Sequence, residues 1–332
     1  MEKVTPQGTL VVSLDFELFW GMTDKVTLEE YGENIRGVRT ALPAMLQLFT
    51  RYGIHATWAV VGMLTQPTKP ALLDLLPTLR PEYKDTKLST YEYMKTATIG
   101  DNESADPHHF GASLLRKILE TEHQEVGSHT FSHYYCVEEG QTPSAFEADL
   151  VAEEDSLRPF GIRPVSLVLP RNQWREDYLP AIRTHGFTSF RGNQRGFVYM
   201  PRKDREQSLL IRALRLLDQY VPLFGSHLYT TQEMRRKELP HNIPASFFFR
   251  PYTPALSVFE PLRMHRLTSA MTKAAKEGSM FHIWWHPHNF GKHQKENLGN
   301  LEHLLKHFVS LQKRYGMRSL SMSELAAELS TP

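Results

Sequence analysis

Two carboxylates end an apolar run near the start of the chain. The stretch "TLVVSLDFE" has the β-branched and apolar residues of a strand, and it ends on Asp15 and Glu17. Residues two apart on a strand point to the same face, so these carboxylates either share a site or both face water. Buried carboxylates are costly unless they are paired, hydrogen-bonded or bound to a metal. The pair therefore indicates acid–base chemistry, a divalent cation, or both.

A pair of histidines follows a second short strand. In "QEVGSHTFSHYY", His129 and His133 are four residues apart with small or polar residues between them. On a helical turn this spacing places both imidazoles on one face, where they can hold one metal ion. Two unrelated histidines on a polar loop are the alternative for such a pair taken alone. Its position at the end of a strand favours the metal site.

The stretch "SMFHIWWHPHNFG" predicts a strand over 279–285 that ends at His286. Strand neighbours face opposite ways, so one of Trp284 and Trp285 is expected to pack in the core. We take Trp285 as a candidate substrate-binding residue. His282 and His288 carry no comparable signal.

Two arginines also follow strands directly. In "VSLVLPRNQW" Arg171 and Asn172 come after an apolar strand, and "SFRGNQ" repeats the arrangement with Arg191. A loop arginine is usually a surface residue, but beside a carboxylate it can orient that group and lower its pKa. Asn172 and Arg191 are candidate substrate-binding residues.

The elements that position these residues follow one recurring pattern of helix, glycine and apolar strand. It occurs in "LQLFTRYGIHATWAVVG", "DSLRPFGIRPVSLVLP", "PAIRTHGFTSFRG" and "LQKRYGMRSLSM". Glycine commonly ends helices, and apolar strands of this kind belong to parallel sheets buried on both faces. The alternation predicts an α/β fold with a parallel sheet, interrupted by insertions at about 65–110 and 201–250 that could form substrate walls.

The candidate residues share one edge of this predicted sheet. They all fall at the C-terminal ends of parallel strands, which is the edge that carries the active site in α/β barrels. We therefore expect one of Asp15 and Glu17 to bind a metal with His129 and His133, while the other carboxylate is free to act as a base.

These motifs resemble those of the polysaccharide deacetylases with a NodB-type catalytic domain. The resemblance rests on "HTFSH", "RNQ", "FRGNQ" and "WWHPHNFG" and covers most of the chain, which we take as a single domain, 1–332. The family usually has two adjacent aspartates in its first motif, whereas this chain has the variant Asp15-Phe16-Glu17. The resemblance implies a distorted (β/α) barrel of seven strands, and removal of acetyl groups from amino sugars, in the branch associated with bacterial surface-polysaccharide synthesis.

The resemblance also implies roles for individual residues. Asp15 matches the catalytic base, Glu17 with the two histidines matches the metal ligands, and Arg171 matches the arginine that orients the base. His286 matches the histidine that assists the leaving group. A mixed nitrogen and oxygen ligand set suits zinc, with cobalt, nickel and iron as alternatives.

Composition limits the class of protein. The chain has 332 residues, a formal net charge of +1 and one cysteine, Cys136. The charge gives no general electrostatic argument for nucleic acid binding. The single cysteine favours a reducing compartment, and neither a signal peptide nor an apolar run of about 20 residues is evident. We expect a cytoplasmic protein without a transmembrane segment.

Several alternatives stay open. The amino sugar could be free, nucleotide-linked, lipid-linked or polymeric. Another amidohydrolase on the same barrel, such as a ring-opening enzyme, and a non-catalytic sugar-binding protein also fit these residues.

The segment "QSLLIRALRLLDQYVPLF" at 207–224 has an apolar helical stripe. Such stripes usually pack on a core, although a basic amphipathic helix can instead lie on an anionic membrane.

Overall fold

A curled sheet of nine strands organises the computed structural model, which describes residues 7–331. The strands are β1 (Thr9–Phe16), β2 (Ala56–Val60), β3 (Gln124–Ser128), β4 (Ser166–Leu167), β5 (Ser189–Phe190), β6 (His241–Asn242), β7 (Phe247–Phe248), β8 (Met280–Trp285) and β9 (Arg318–Ser319). The main path runs β6-β5-β4-β3-β2-β1-β8-β7 with parallel pairing, and β9 pairs with the start of β1.

The segment 241–249 draws the two ends of the sheet together. The amide of Ile243 donates to Phe190 of β5, whereas the amides of Ser246 and Phe249 donate to His282 and Trp284 of β8. The sheet is therefore a distorted barrel, as predicted. If β6 and β7 are counted as one bent strand, the barrel has the expected seven strands. β9 is an additional strand that the resemblance did not imply.

Helices pack around the outside of the sheet, and the predicted helix–glycine–strand pattern is confirmed. Gly53 ends α1 and Gly316 ends α10, both with left-handed backbone (φ 61° and 69°). The helices are α1 (Leu28–Tyr52), α2 (Lys69–Asp74), α3 (Thr90–Thr96), α4 (Ala112–Leu119), α5 (Pro143–Leu157), α6 (Leu179–Thr184), α7 (Leu209–Asp218), α8 (Thr231–Met234), α9 (Glu260–Glu277), α10 (Gln294–Tyr315) and α11 (Met322–Ser330).

Alternation along β1 places the first carboxylate inside the barrel. Leu10 and Leu14 face the main core beneath α1 and α10, whereas Val11 packs in a second cluster with Ala59 of β2, Val168 just after β4 and Met280 of β8. Ser13 and Asp15 continue the inner face. Because every residue of β1 is buried, Asp15 reaches the C-terminal edge of the sheet from a rigid strand.

Two expectations for the segment 201–250 need correction. The predicted insertion is too long, because residues from His241 onward belong to the sheet. The apolar stripe of α7 does not pack on the core: Leu209 and Leu210 are 83% and 68% exposed. Among the helices of the described residues, none is both long and apolar enough to cross a membrane.

Candidate active site

Glu17 lies just beyond β1 and contacts both predicted histidines. Its Oε2 is 3.4 Å from His129 Nε2 and 3.1 Å from His133 Nε2, and all three side chains are buried. Burial alone would raise the pKa of Glu17, but the surrounding histidines, His286 foremost, hold that pKa well below its usual value. The structure thus brings together the three residues predicted to bind a metal.

The "HTFSH" loop reaches this geometry without a helical turn, so the predicted reason for the histidine convergence is wrong. Thr130 and His133 have left-handed backbone (φ 67° and 58°). The loop is fixed instead by Asp149 of α5, whose carboxylate accepts a hydrogen bond from the amide of Phe131 at 2.8 Å and from that of Ser132 at 3.2 Å. Backbone strain held in this way by surrounding contacts is common at functional sites.

The outer nitrogens of both histidines show that this cluster suits a cation. His129 Nδ1 donates to the carbonyl of Val168 at 2.7 Å, and His133 Nδ1 lies 3.0 Å from the hydroxyl of Tyr135. The bond to Val168 selects the His129 tautomer with its proton on Nδ1, which turns an Nε2 lone pair toward the Glu17 carboxylate, and the same tautomer of His133 would turn a second one. Burial lowers the pKa of His133, which favours the neutral form. Nitrogen lone pairs and a negatively charged carboxylate repel one another. A divalent cation bound between them would remove that repulsion.

Asp15 is held by Arg191, not by Arg171 as predicted. The Arg191 guanidinium donates to both Asp15 oxygens at 2.7 Å, to Ser13 Oγ at 3.0 Å and to Asn172 Oδ1 at 2.9 Å. Burial would raise the pKa of Asp15, but the charge and hydrogen bonds of Arg191, together with the nearby His129 and His286, lower that pKa. Arg191 is only 1% exposed, so its predicted role in direct substrate binding is replaced by a role in orienting Asp15.

Arg171 lies at a different part of the same cavity. Its guanidinium pairs with Asp24, lies 3.2 Å from Asp204 and stacks on the ring of Tyr135 at 4.3 Å. Asn172, predicted to bind substrate, is buried and accepts the Arg191 hydrogen bond while still lining the cavity.

Two histidines follow β8, of which sequence reasoning found one. His286 Nε2 is 3.7 Å from both Asp15 Oδ2 and Glu17 Oε1. His288, which the sequence analysis set aside, is closer to Glu17: its Nε2 lies 3.0 Å from Oε1, and its Nδ1 is 2.9 Å from the hydroxyl of Tyr31. Burial raises the pKa of Tyr31 to about 12, so the hydroxyl stays protonated and can donate to Nδ1. The spacing "HPH" at a strand end is the signal that could have identified His288.

The tryptophan that faces the cavity is Trp284, and not Trp285 as predicted. Trp285 is fully buried and stacks on Phe290 in the core. Trp284 lines the cavity, where the Arg191 guanidinium lies 4.2 Å from its ring centroid. Strand alternation predicts that the two rings face opposite ways, but it does not say which faces inward.

Comparisons with known proteins identify a related family and related folds. The family model "Polysaccharide deacetylase" matches residues 32–190. Just under half of the chain is therefore similar to the polysaccharide deacetylases. The match includes His129 and His133, whereas Asp15, Glu17 and His286 lie outside the matched residues and join the site through the sheet. The family's hydrolases act on acetyl groups of carbohydrates.

Solved structures share the fold of this chain at low sequence identity. A Mycobacterium smegmatis protein provisionally assigned to the polysaccharide deacetylases is 12% identical with a TM-score of 0.59, covering 97% of this chain and 91% of its own. A Pseudomonas aeruginosa PAO1 protein assigned in the same way is 13% identical with a TM-score of 0.52, covering 96% of this chain and 89% of its own. The allantoinase PuuE is 11% identical with a TM-score of 0.57, covering 98% of this chain and 91% of its own. No curated protein matches the sequence.

The candidate site opens into a cavity of about 500 Å³. Asp15, Glu17, His133 and His286 lie on its walls, together with Trp284. Other walls come from the insertion that begins near residue 201, as the sequence analysis anticipated. A carbohydrate unit could therefore approach the two carboxylates with an aromatic ring beside it.

Proposed function

We propose that this protein is a metal-dependent hydrolase that removes the N-acetyl group, or a related acyl group, from an amino sugar in bacterial surface-polysaccharide synthesis. One observation carries the proposal. Glu17, with two imidazole lone pairs directed at it, lies in the same cavity as a second carboxylate, Asp15, that an arginine holds in place. Separate carboxylates for cation binding and for proton transfer are what a metal-dependent amide hydrolase requires.

Glu17, His129 and His133 would hold the cation. When bound, a divalent ion would polarise the amide carbonyl of the substrate and make an attacking water more acidic. Zinc suits this ligand set best, and cobalt, nickel or iron could take its place. His288 and Tyr31 fix the Glu17 carboxylate from behind, as outer partners of metal ligands commonly do.

Asp15 is the proposed base. Its two hydrogen bonds to Arg191 fix the carboxylate plane and keep it ionised, so that it can accept a proton from water on the cavity side. A positioned base of this kind typically contributes about 10²–10⁴-fold to the rate. His286 is the proposed acid for the departing amine. Asn289 Oδ1 lies 3.2 Å from its Nδ1, which leaves Nε2 directed at the cavity carboxylates.

Product analysis by mass spectrometry on the zinc-loaded protein tests the proposal. The panel contains free, nucleotide-linked, lipid-linked and oligomeric N-acetyl amino sugars, with allantoin as the cyclic amide. We expect acetate and a free amine from at least one N-acetyl sugar, and loss of most turnover in Asp15→Asn. Hydrolysis of allantoin alone would replace the proposal with a ring-opening amidase. Sugar binding without hydrolysis or bound metal would indicate a non-catalytic protein.

Residence in the cytoplasm is part of the proposal and is supported by the single cysteine.

A further inference from the structure

The cavity beside the two carboxylates is lined by an excess of cations. Three carboxylates, Asp15, Glu17 and Asp204, face it, whereas its basic lining residues are Lys25, Arg171, Arg202, Arg212, Arg215 and Arg250. Lys25 and Arg171 are neutralised by Asp24 and Asp204. Across residues 7–331, no carboxylate lies within 4 Å of the guanidinium of any of the other four arginines.

Two of these arginines are held against each other. Arg202 Nη1 and Arg215 Nε both donate to the carbonyl oxygen of Val198, at 3.0 and 2.7 Å. Burial lowers the pKa of Arg215, and the neighbouring charges of Arg202 and Arg212 lower it further. Two guanidinium groups that share one neutral acceptor repel each other, and a bound anion would relieve that repulsion.

We propose that Arg202, Arg212 and Arg215 bind a phosphate group of the substrate. This inference rests on the proposed function and names its substrate class: an N-acyl amino sugar that carries a phosphate or diphosphate. Guanidinium groups match phosphate oxygens in a fork geometry, and several of them commonly build such sites. All three residues come from the insertion that walls the cavity, so the phosphate lies in the same cavity as the sugar.

Steady-state kinetics with matched substrates tests this inference. Initial rates are measured for N-acetylglucosamine, its 1-phosphate, its uridine diphosphate ester and its prenyl diphosphate ester. We expect Arg215→Gln and Arg202→Gln to lower kcat/KM for the phosphate-bearing sugars about 10- to 100-fold, since each loses a charge-assisted hydrogen bond. The neutral sugar should change less than twofold. Arg205→Gln is the control, because Arg205 is exposed, pairs with Glu139 and lies outside the cavity lining.

The outcomes separate this inference from the proposed function. Equal losses for neutral and phosphate-bearing sugars would overturn the phosphate site and leave the deacetylase intact. If no N-acyl sugar is hydrolysed, the proposed function fails, and inorganic pyrophosphate binding by calorimetry then tests the arginines alone. Binding that weakens at least tenfold in Arg215→Gln supports the site, and unchanged binding overturns it. The uridine and prenyl esters decide whether the phosphate comes from a nucleotide or a lipid carrier.

Discussion

The buried pair of Asp15 and Arg191 gives a quantitative prediction about the stability of the site. Arg191→Met removes two hydrogen bonds of 2.7 Å to Asp15 and two further ones to Ser13 and Asn172. The Asp15 carboxylate, 2% exposed, then remains as a buried charge without its partner. Breaking a buried ion pair in this way typically costs about 3–5 kcal/mol. We expect a loss of that size in the free energy of unfolding.

A double-mutant cycle isolates the interaction between the two side chains. Urea unfolding of wild type, Asp15→Asn, Arg191→Met and the double variant is measured at pH 7 with a chelator, so that metal binding does not contribute. We expect a coupling energy of about 2–3 kcal/mol. Arg191→Met alone leaves the Asp15 carboxylate buried without a partner, and adding Asp15→Asn removes that unpaired charge.

The matched control is the same cycle with Arg171→Met. Arg171 pairs with Asp24 and not with Asp15, so its coupling to Asp15 should stay below about 0.5 kcal/mol. Equal couplings for Arg171 and Arg191, or a coupling below about 0.5 kcal/mol for Arg191, would refute the assignment of Arg191 as the residue that holds Asp15.

Three further predictions follow from the same structure. Glu17→Gln should lose most bound metal and turnover, whereas Asp15→Asn should keep the metal and lose turnover; elemental analysis with rate measurements checks this, and the reverse pattern would exchange the two roles. Trp285→Ala should destabilise the core by about 3–5 kcal/mol in urea unfolding, whereas Trp284→Ala should mainly lower kcat/KM. Burial would raise the pKa of Asp106, but hydrogen bonds from His109 and backbone amides lower it from 3.8 to about 2. A lowered carboxylate pKa stabilises the fold above the unfolded value, so Asp106→Asn should cost about 2 kcal/mol at pH 7, and unfolding curves should show that difference vanish as the pH falls from about 4 to about 2.

Strand-end position predicted much of the site because parallel strands share one edge. Asp15 lies at the end of β1, and His286 and His129 follow β8 and β3, which are the neighbour of β1 and one strand removed from it. The order of strands and polar ends was therefore enough to bring the three residues together. The two arginines show the limit of this reasoning. Arg171 and Arg191 follow their strands with the same local pattern, but Arg171 has left-handed backbone (φ 56°) and turns away from Asp15.

Other features depended on packing that a periodic pattern does not encode. The stripe along α7 has helical spacing, but spacing alone does not say whether a neighbouring element covers it. His288 reaches Glu17 through the short 3₁₀ helix Pro287–Phe290, and a two-residue spacing in a loop has no fixed geometry. Trp284 and Trp285 could be placed on opposite faces of β8, yet only the curl of the sheet decided which face is inside.

Metal content and acetate release, measured on one preparation, test the central claim most directly. The protein is stripped with a chelator and titrated with zinc, and both quantities are followed in wild type and in His129→Ala. The account predicts that activity on an N-acetyl amino sugar rises with occupancy up to one ion per chain, and that His129→Ala loses both together. Full activity in the stripped protein, or full occupancy in His129→Ala, would contradict a catalytic metal held by Glu17, His129 and His133.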